Sequence, residues 1–445
     1  MKNSILFWSI TVALAGFLFG FDTVVISGAE QSLKELWGSY TLFGSTDLFH
    51  GIVIVGSALW GTVIGAIFGG IPTDKFGRKT TLIWIGVFYF VSAIGSALVT
   101  DPWLFAVFRF IGGLGVGAST IAAPAYVSEI APASRRGRLV ALYQFNIVFG
   151  ILIAYLSNYL LSGIEENAWR WMIGIEALPA MIYALMVFSV PKSPRWLLAK
   201  RNDRAGAKKT LLLIDPNMDT EAEMDRILSD QASHSASETI FDKKYRFPLM
   251  LAFFIAFFNQ FSGINALLYF APRIFEAAGL ESEAALLGSI GIGIVNMIFT
   301  LIGLSLIDRF GRKQLMYIGS VGYIISLSLV AFAFASEIQG MTVPLLLFLF
   351  IASHAIGQGT VIWVFISEIF PNQLRAKGQS FGSSVHWILA AAIPSLMPIM
   401  FTQIGPAPVF GIFAGMMVLQ LLFVWRMMPE TKGVPLEELE KQLSR

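Results

Sequence analysis

Twelve apolar runs, each long enough to cross a bilayer as a helix, constrain this chain more than any other feature. A spanning helix needs about 20 mostly apolar residues. Such runs fall at about 5–28, 51–71, 80–99, 103–127, 137–161, 169–190, 247–270, 284–307, 314–335, 342–367, 376–401 and 407–428. Only 13% of the 445 residues are charged and 56% are hydrophobic, against roughly 25% charged in a soluble domain. So few charges cannot cover the surface of a water-soluble protein, which excludes a soluble enzyme and a disordered chain. The runs lack the period-2 alternation of a β-barrel and are rich in Gly and Phe, which suits close packing in lipid. The first is too long for a signal peptide and has no small-residue cleavage site. The chain therefore reads as an all-α membrane protein in a lipid bilayer. A net charge of +2 argues against nucleic acid as a partner. With no Cys and only four His, no metal site and no thiolate chemistry is expected. There is no phosphate-cradling Gly-x4-Gly-Lys-Ser/Thr loop and no nucleophile elbow. The expectation is no enzyme, no cofactor and no ATP-driven step.

Loop charges set the orientation. Of 31 Lys and Arg, Arg109 lies inside a span, and Lys34, Arg170 and Arg273 fall in expected outer loops. The other 27 lie on the side that holds both termini. That bias places both termini in the cytoplasm, as in a cytoplasmic (inner) membrane. Residues 191–246 carry 20 charges, and their stretches 203–213 and 219–232 are amphipathic or polar. They read as a cytoplasmic helical linker between two six-helix halves, 1–190 and 247–428, with a tail at 429–445.

The halves repeat. Asp74-Lys-Phe-Gly-Arg-Lys79 follows the second span and Asp308-Arg-Phe-Gly-Arg-Lys313 the eighth. Ser128-Glu-Ile-Ala-Pro ends the fourth span and Ser367-Glu-Ile-Phe-Pro the tenth, with Arg136 and Arg375 each seven residues after the Glu. Offsets of 234 and 239 residues mark a duplicated six-span unit, whose halves would hold a binding site between them near the midplane. Topology needs bases but not acids. Asp74, Arg78, Glu129 and Arg136, with their counterparts Asp308, Arg312, Glu368 and Arg375, are thus read as charge-assisted latches that close the cytoplasmic side in one conformation.

With Gly20-Phe-Asp-Thr-Val-Val-Ile-Ser-Gly28, Arg109-Phe-Ile-Gly-Gly113, Pro191-Lys-Ser-Pro-Arg-Trp-Leu197, Gln260-Phe-Ser-Gly-Ile-Asn265 and Pro429-Glu-Thr-Lys-Gly433 in order, the chain resembles the sugar porter family of the major facilitator superfamily. The resemblance covers essentially the whole length and is strongest to bacterial proton-coupled pentose and hexose symporters. It implies the major facilitator fold, with twelve transmembrane helices in two pseudo-symmetric halves, and alternating access by rocking of the halves. The expected function is secondary active import of a monosaccharide by proton symport, by a protein that works as a monomer. A passive uniporter on the same fold is the alternative. A non-transporting sugar receptor is disfavoured by the 17 residues after Met428.

Asp22, Arg109 and Glu176 fall well within spans, where each costs roughly 2.5–3.5 kcal/mol by insertion scales. A functional role is the default for such residues. Protonating Asp22 would release Arg109 toward Glu176, which gives a proton-controlled switch. The resembling symporters pair the first-span acid with the fourth-span Arg and carry an acid where Glu176 stands. Glu30, nearer the outer end, is expected to be solvated.

A sugar pocket needs amides, which donate and accept without charge, and an aromatic wall. By resemblance Gln144, Gln260, Asn265, Asn296 and Trp363 match sugar-contacting positions, and Phe19 and Tyr269 flanking aromatic ones. Asn259, His386 and Trp387 join the candidates. Gln260 and Asn265 lie about 140° apart on an ideal helix, so they share a face only if the helix unwinds near Gly263. Asn146 and Asn158 read as helix-packing amides. The chain departs from the family pattern at Asn259 for Gln, Phe270 for Tyr, Ile151 for a polar residue, Thr360 for Pro and His386 for Gln.

Overall fold

The computed structural model describes residues 3–131, 136–164, 167–232, 239–371 and 373–443. Among these residues the regular secondary structure is helical, apart from one isolated β-bridge between Leu42 and Ser45. Twelve helices are long and apolar enough to cross a membrane: Ser4–Leu36, Thr46–Phe68, Arg78–Leu98, Pro102–Ile130, Ala141–Leu161, Ala168–Phe188, Lys243–Ala277, Ser282–Phe310, Arg312–Ala335, Thr342–Glu368, Arg375–Gln403 and Pro406–Arg426. They are called spans 1 to 12 below. Each overlaps one of the twelve apolar runs of the sequence.

The chain forms two compact units. Unit 1 comprises Met1–Asp22, Trp60–Gly150 and Ile173–Ser237, and unit 2 comprises Thr23–Leu59, Ile151–Met172 and Glu238–Arg445.

In unit 1, close backbone approach decides the packing of spans 2 and 4. Gly61, Gly65 and Gly69 recur every four residues along span 2 and face Phe110, Leu114 and Ala118 of span 4. A Cβ at Gly61 would collide with the Phe110 carbonyl oxygen. This is how small residues bring lipid-embedded helices together where no hydrophobic drive separates helix from lipid. Span 4 starts where Asp101 accepts from the Leu104 amide at 2.8 Å, with Pro102 in the first turn. That cap satisfies an amide the helix itself cannot.

The linker contributes three helices to unit 1: Pro194–Arg201, Arg204–Ile214 and Thr220–Ala232. The last two coincide with the stretches read as helical in the sequence. Ser193, Asp203 and Asp219 cap their starts through the amides of Trp196, Gly206 and Ala222. Trp196, Leu197, Leu198, Ala207, Leu211, Met224 and Ile227 form a small apolar core between them. On their outer face Lys208 and Arg204 donate to Glu221 and hold its carboxyl below its ordinary value.

Unit 2 contains two broken spans. Span 7 divides into helices Arg246–Phe261 and Ile264–Ala277 around Gly263, whose φ of +84° is a conformation glycine adopts without steric cost. Span 10 divides at Gly357 (φ −84°, ψ −101°) into Thr342–Ile356 and Gln358–Glu368. Gly357 packs against the backbone of Gly319 in span 9, where neither position has room for a Cβ. The Thr360 hydroxyl donates to the Ala355 carbonyl at 2.6 Å and bridges the break. The sequence departure at Thr360 thus sits just beyond a break centred on Gly357. Span 2 opens with a π-helical turn over His50–Val55.

Candidate functional site

Unit 1 buries the three ionisable residues expected inside the spans. Arg109 is fully buried in span 4, and its Nη1 lies 2.5 Å from Asp22 Oδ1 of span 1. Its Nη2 donates to the backbone carbonyl of Asp22 at 3.3 Å. The two contacts tie the guanidinium to both the side chain and the main chain of one residue. Glu176 is 1% exposed, at a turn in span 6 between helices Ala168–Gly174 and Ala177–Phe188. Pro179 follows within a turn, and its missing N–H accounts for a local break there. Asp22 and Arg109 are the charges that act on Glu176. Two acids therefore share one guanidinium in a buried interior.

Unit 2 gathers amides instead. The break at Gly263 brings Asn265 Nδ2 to 2.9 Å from Gln260 Oε1, the juxtaposition that an unbroken helix would forbid. Gln260 Nε2 donates to Asn259 Oδ1 at 2.9 Å, and Asn259 Nδ2 reaches Gln358 Oε1 in span 10 at 3.4 Å. Gln260 Nε2 also lies 3.2 Å from His386 Nδ1 and 3.3 Å from His386 Nε2. His386 in turn meets Trp363 and Trp387 edge-on, with ring centroids 5.0 and 5.1 Å apart. Seven side chains of unit 2, from spans 7, 10 and 11, thus form one polar patch with an aromatic border. Tyr269 is buried further along span 7. Asn296 of span 8 is buried too and accepts from Thr300 at 3.4 Å, apart from the Gln260 group. Gln144 and Phe19 are half-buried and belong to unit 1. Asn146 and Asn158 donate to the backbone carbonyls of Leu142 and Val25.

The two repeated turns are built alike. In unit 1, Arg78 donates to Glu129 at 3.0 Å, to Asp74 at 2.9 Å and to the Thr73 carbonyl at 3.2 Å. Trp196 of the linker donates to the Asp74 carbonyl and covers Gly77, whose φ is +91°. In unit 2, Arg312 grips Glu368 with two nitrogens, at 3.0 and 2.7 Å, and also reaches Asp308 and the Ile307 carbonyl at 3.2 Å. Glu430 of the tail accepts from the amides of Arg312 and Lys313, and Thr431 donates to Glu368. Arg375 stands apart, its Nε without a hydrogen-bond partner among the described residues. Arg136 starts helix Arg136–Leu161, and its side chain lies outside the described residues.

Two sequence expectations are corrected. Glu30 is not solvated but 1% exposed, with Oε1 2.7 Å from His50 Nε2 and 3.0 Å from Arg273 Nη1. Arg273 lies inside helix Ile264–Ala277 rather than in an outer loop, because Pro272 bends that helix without ending it. Lys34, Asp47 and Thr402 extend the polar contacts nearby, at 3.0 and 2.6 Å. The clue in the sequence was an acid four residues before Lys34 in a run still helical to Leu36. Gln358, Gln420 and Ser320 were also missed.

A family model described as "Sugar (and other) transporter" matches residues 8–443. The D-xylose-proton symporter of Escherichia coli (strain K12) is 33% identical over 473 aligned residues, which cover 98% of this chain and 96% of that protein. The glucose transporter GlcP of Staphylococcus epidermidis is 36% identical over 438, covering 97% and 95%. The inward-open structure of the xylose transporter XylE from E. coli matches with a TM-score of 0.88 at 32% identity, over 99% of this chain and 100% of that one.

Proposed function

The chain belongs to the sugar porter family of the major facilitator superfamily, and we propose that within it the protein imports a monosaccharide, a pentose or a hexose, by proton symport. It is an integral membrane transporter and not an enzyme. We read 1–190 and 247–428 as two six-helix halves that rock about the substrate, with the linker 191–246, the tail 429–445 and both termini in the cytoplasm.

The observation that carries the proton-coupled reading is the buried group Asp22, Arg109 and Glu176. Two carboxyls against one guanidinium balance their charge when one carboxyl holds a proton. A proton on Asp22 weakens its hold on Arg109, and Glu176, buried beside the pair, offers the guanidinium a second carboxyl. Losing one charge of a buried pair costs about 3–5 kcal/mol, enough to drive Arg109 to a second partner and so to link proton entry to a change of helix packing. The polar patch around Gln260 and Asn265 supplies donors and acceptors for sugar hydroxyls, and Trp363 and Trp387 an apolar wall for the ring. Asn296 and Tyr269 of unit 2 are proposed to belong to this pocket, and Gln144 and Phe19 are proposed as sugar contacts offered by unit 1. The clusters at Arg78 and Arg312 are proposed as the cytoplasmic latches.

Purified protein in proteoliposomes tests the reading. An inward proton gradient should drive accumulation of labelled xylose, arabinose, glucose or galactose above the outside concentration. Exchange without accumulation would make it a passive uniporter. No exchange of any monosaccharide would remove the sugar assignment.

A further inference from the structure

The amides of unit 2 form a longer chain than the proposed pocket needs, and every link runs in the same direction. Asn265 donates to Gln260, Gln260 to Asn259, Asn259 to Gln358, Gln358 to Gln420 at 2.8 Å and Gln420 to Ser320 at 2.8 Å. The Ser320 hydroxyl then donates to the Met316 carbonyl at 2.7 Å. The chain crosses spans 7, 10, 12 and 9, and Gln358, Gln420 and Ser320 are fully buried.

Its direction is forced from the buried end. A hydroxyl has one proton, and Ser320 gives it to a backbone carbonyl that can only accept. With its proton placed there it accepts from Gln420, whose nitrogen faces it. The oxygen of Gln420 then faces Gln358, and the same logic passes through Asn259 and Gln260 to Asn265. The Ile255 carbonyl, 3.5 Å from Gln358 Nε2, repeats the demand in mid-chain. An amide inserted the wrong way round would set N–H against N–H or oxygen against oxygen, and in a dry interior each such mismatch is costly.

We propose that Gln358 and Gln420 are positioning residues that set which atoms of Asn259, Gln260 and Asn265 are offered to the substrate. This rests on the reading that Gln260 and Asn265 bind the sugar. The chain leaves Asn265 with its Oδ1 and one N–H uncommitted, a paired acceptor and donor. It commits one Gln260 N–H to Asn259 and presents the other to His386. A His386 nitrogen that receives this N–H carries no proton, so the other ring nitrogen is a donor. Among the described residues, the face left for a substrate is thus an acceptor and a donor from Asn265. This ordered pattern discriminates between hydroxyls rather than merely wetting the pocket.

The test is substrate counterflow in proteoliposomes with wild type, Gln358→Met, Gln420→Met, Ser320→Ala and the Gln358→Met/Gln420→Met double variant. The readout is the ratio of KM for each monodeoxy analogue to that of the parent sugar, with folded protein checked by size exclusion and thermal melting. Loss of a neutral hydrogen bond is worth roughly 2- to 12-fold. Gln358→Met should raise the parent KM about 10-fold and bring the deoxy-to-parent ratio at the most discriminated hydroxyl to within about 2-fold of unity. Ser320→Ala, which removes only the terminal acceptor, should shift the ratio the same way by about 3-fold. A chain acting in series is already cut in Gln358→Met, so the double variant should be no worse, whereas independent packing defects would multiply. Wild-type ratios in folded Ser320→Ala and Gln420→Met, or multiplicative losses in the double variant, would overturn the proposal and leave the sugar site standing. No counterflow by wild type would remove the sugar site and the proposal together.

Discussion

The buried polar group of unit 1 around Arg109 is organised around a guanidinium and two carboxyls, whereas the Gln260 group of unit 2 is organised around neutral side chains. Arg109 meets Asp22 with Glu176 beside them. Asn265, Gln260, Asn259, Gln358, Gln420 and Ser320 hand one donor direction from span to span. Both arrangements satisfy buried polar groups, but they respond differently to a proton. A carboxyl–guanidinium pair loses its attraction when the acid is protonated. An amide chain has nothing to titrate and holds its shape. The difference suits a division of labour, with the proton acting at the Arg109 group and the hydroxyls read at the Gln260 group.

The largest effect is expected from Arg109→Ala. It leaves two carboxyls buried together without a cation, which costs about 3–5 kcal/mol. Detergent melting curves should show a marked loss of folded protein, relieved in part by adding Asp22→Asn. Equal stability of Arg109→Ala and wild type would mean that the unit 1 charges are not coupled. Next comes Gln260→Ala, which removes the link between Asn265 and Asn259. Counterflow should vanish while the yield of monodisperse protein holds, because the deletion removes only neutral hydrogen bonds, each worth about 0.5–1.5 kcal/mol. Retained counterflow would move the substrate away from unit 2.

A smaller contrast separates the two repeated turns. Arg312 makes two hydrogen bonds to Glu368, and Arg78 makes one to Glu129. Lys cannot reproduce a bidentate fork. Arg312→Lys should therefore destabilise by about 1 kcal/mol more than Arg78→Lys, read as the difference in melting temperature. Equal shifts would show that the second bond contributes nothing.

Much of this architecture was legible in the residues, for identifiable reasons. Spans are written in local composition, so all twelve could be read from the sequence. The linker helices carry their own caps, at Ser193, Asp203 and Asp219, and their own apolar faces. The break at Gly263 followed from asking how Gln260 and Asn265 could share a face. Charges deep in a run announce themselves, which singled out Asp22, Arg109 and Glu176. What failed was whatever depends on distant approach. Glu30 looked solvated because its partners His50 and Arg273 are 20 and 243 residues away, and Arg273 looked like an outer-loop residue beyond the seventh span. Gln358 and Gln420 lie 62 residues apart on different spans, and no spacing rule links them.

The account rests on the claim that the Arg109 group couples the proton while the Gln260 group reads the sugar, and Asp22→Asn separates the two. The substitution is isosteric and mimics the protonated acid. In proteoliposomes under an inward proton gradient, the variant should still exchange labelled sugar by counterflow, yet accumulate none above the outside concentration. Accumulation equal to wild type would contradict the account.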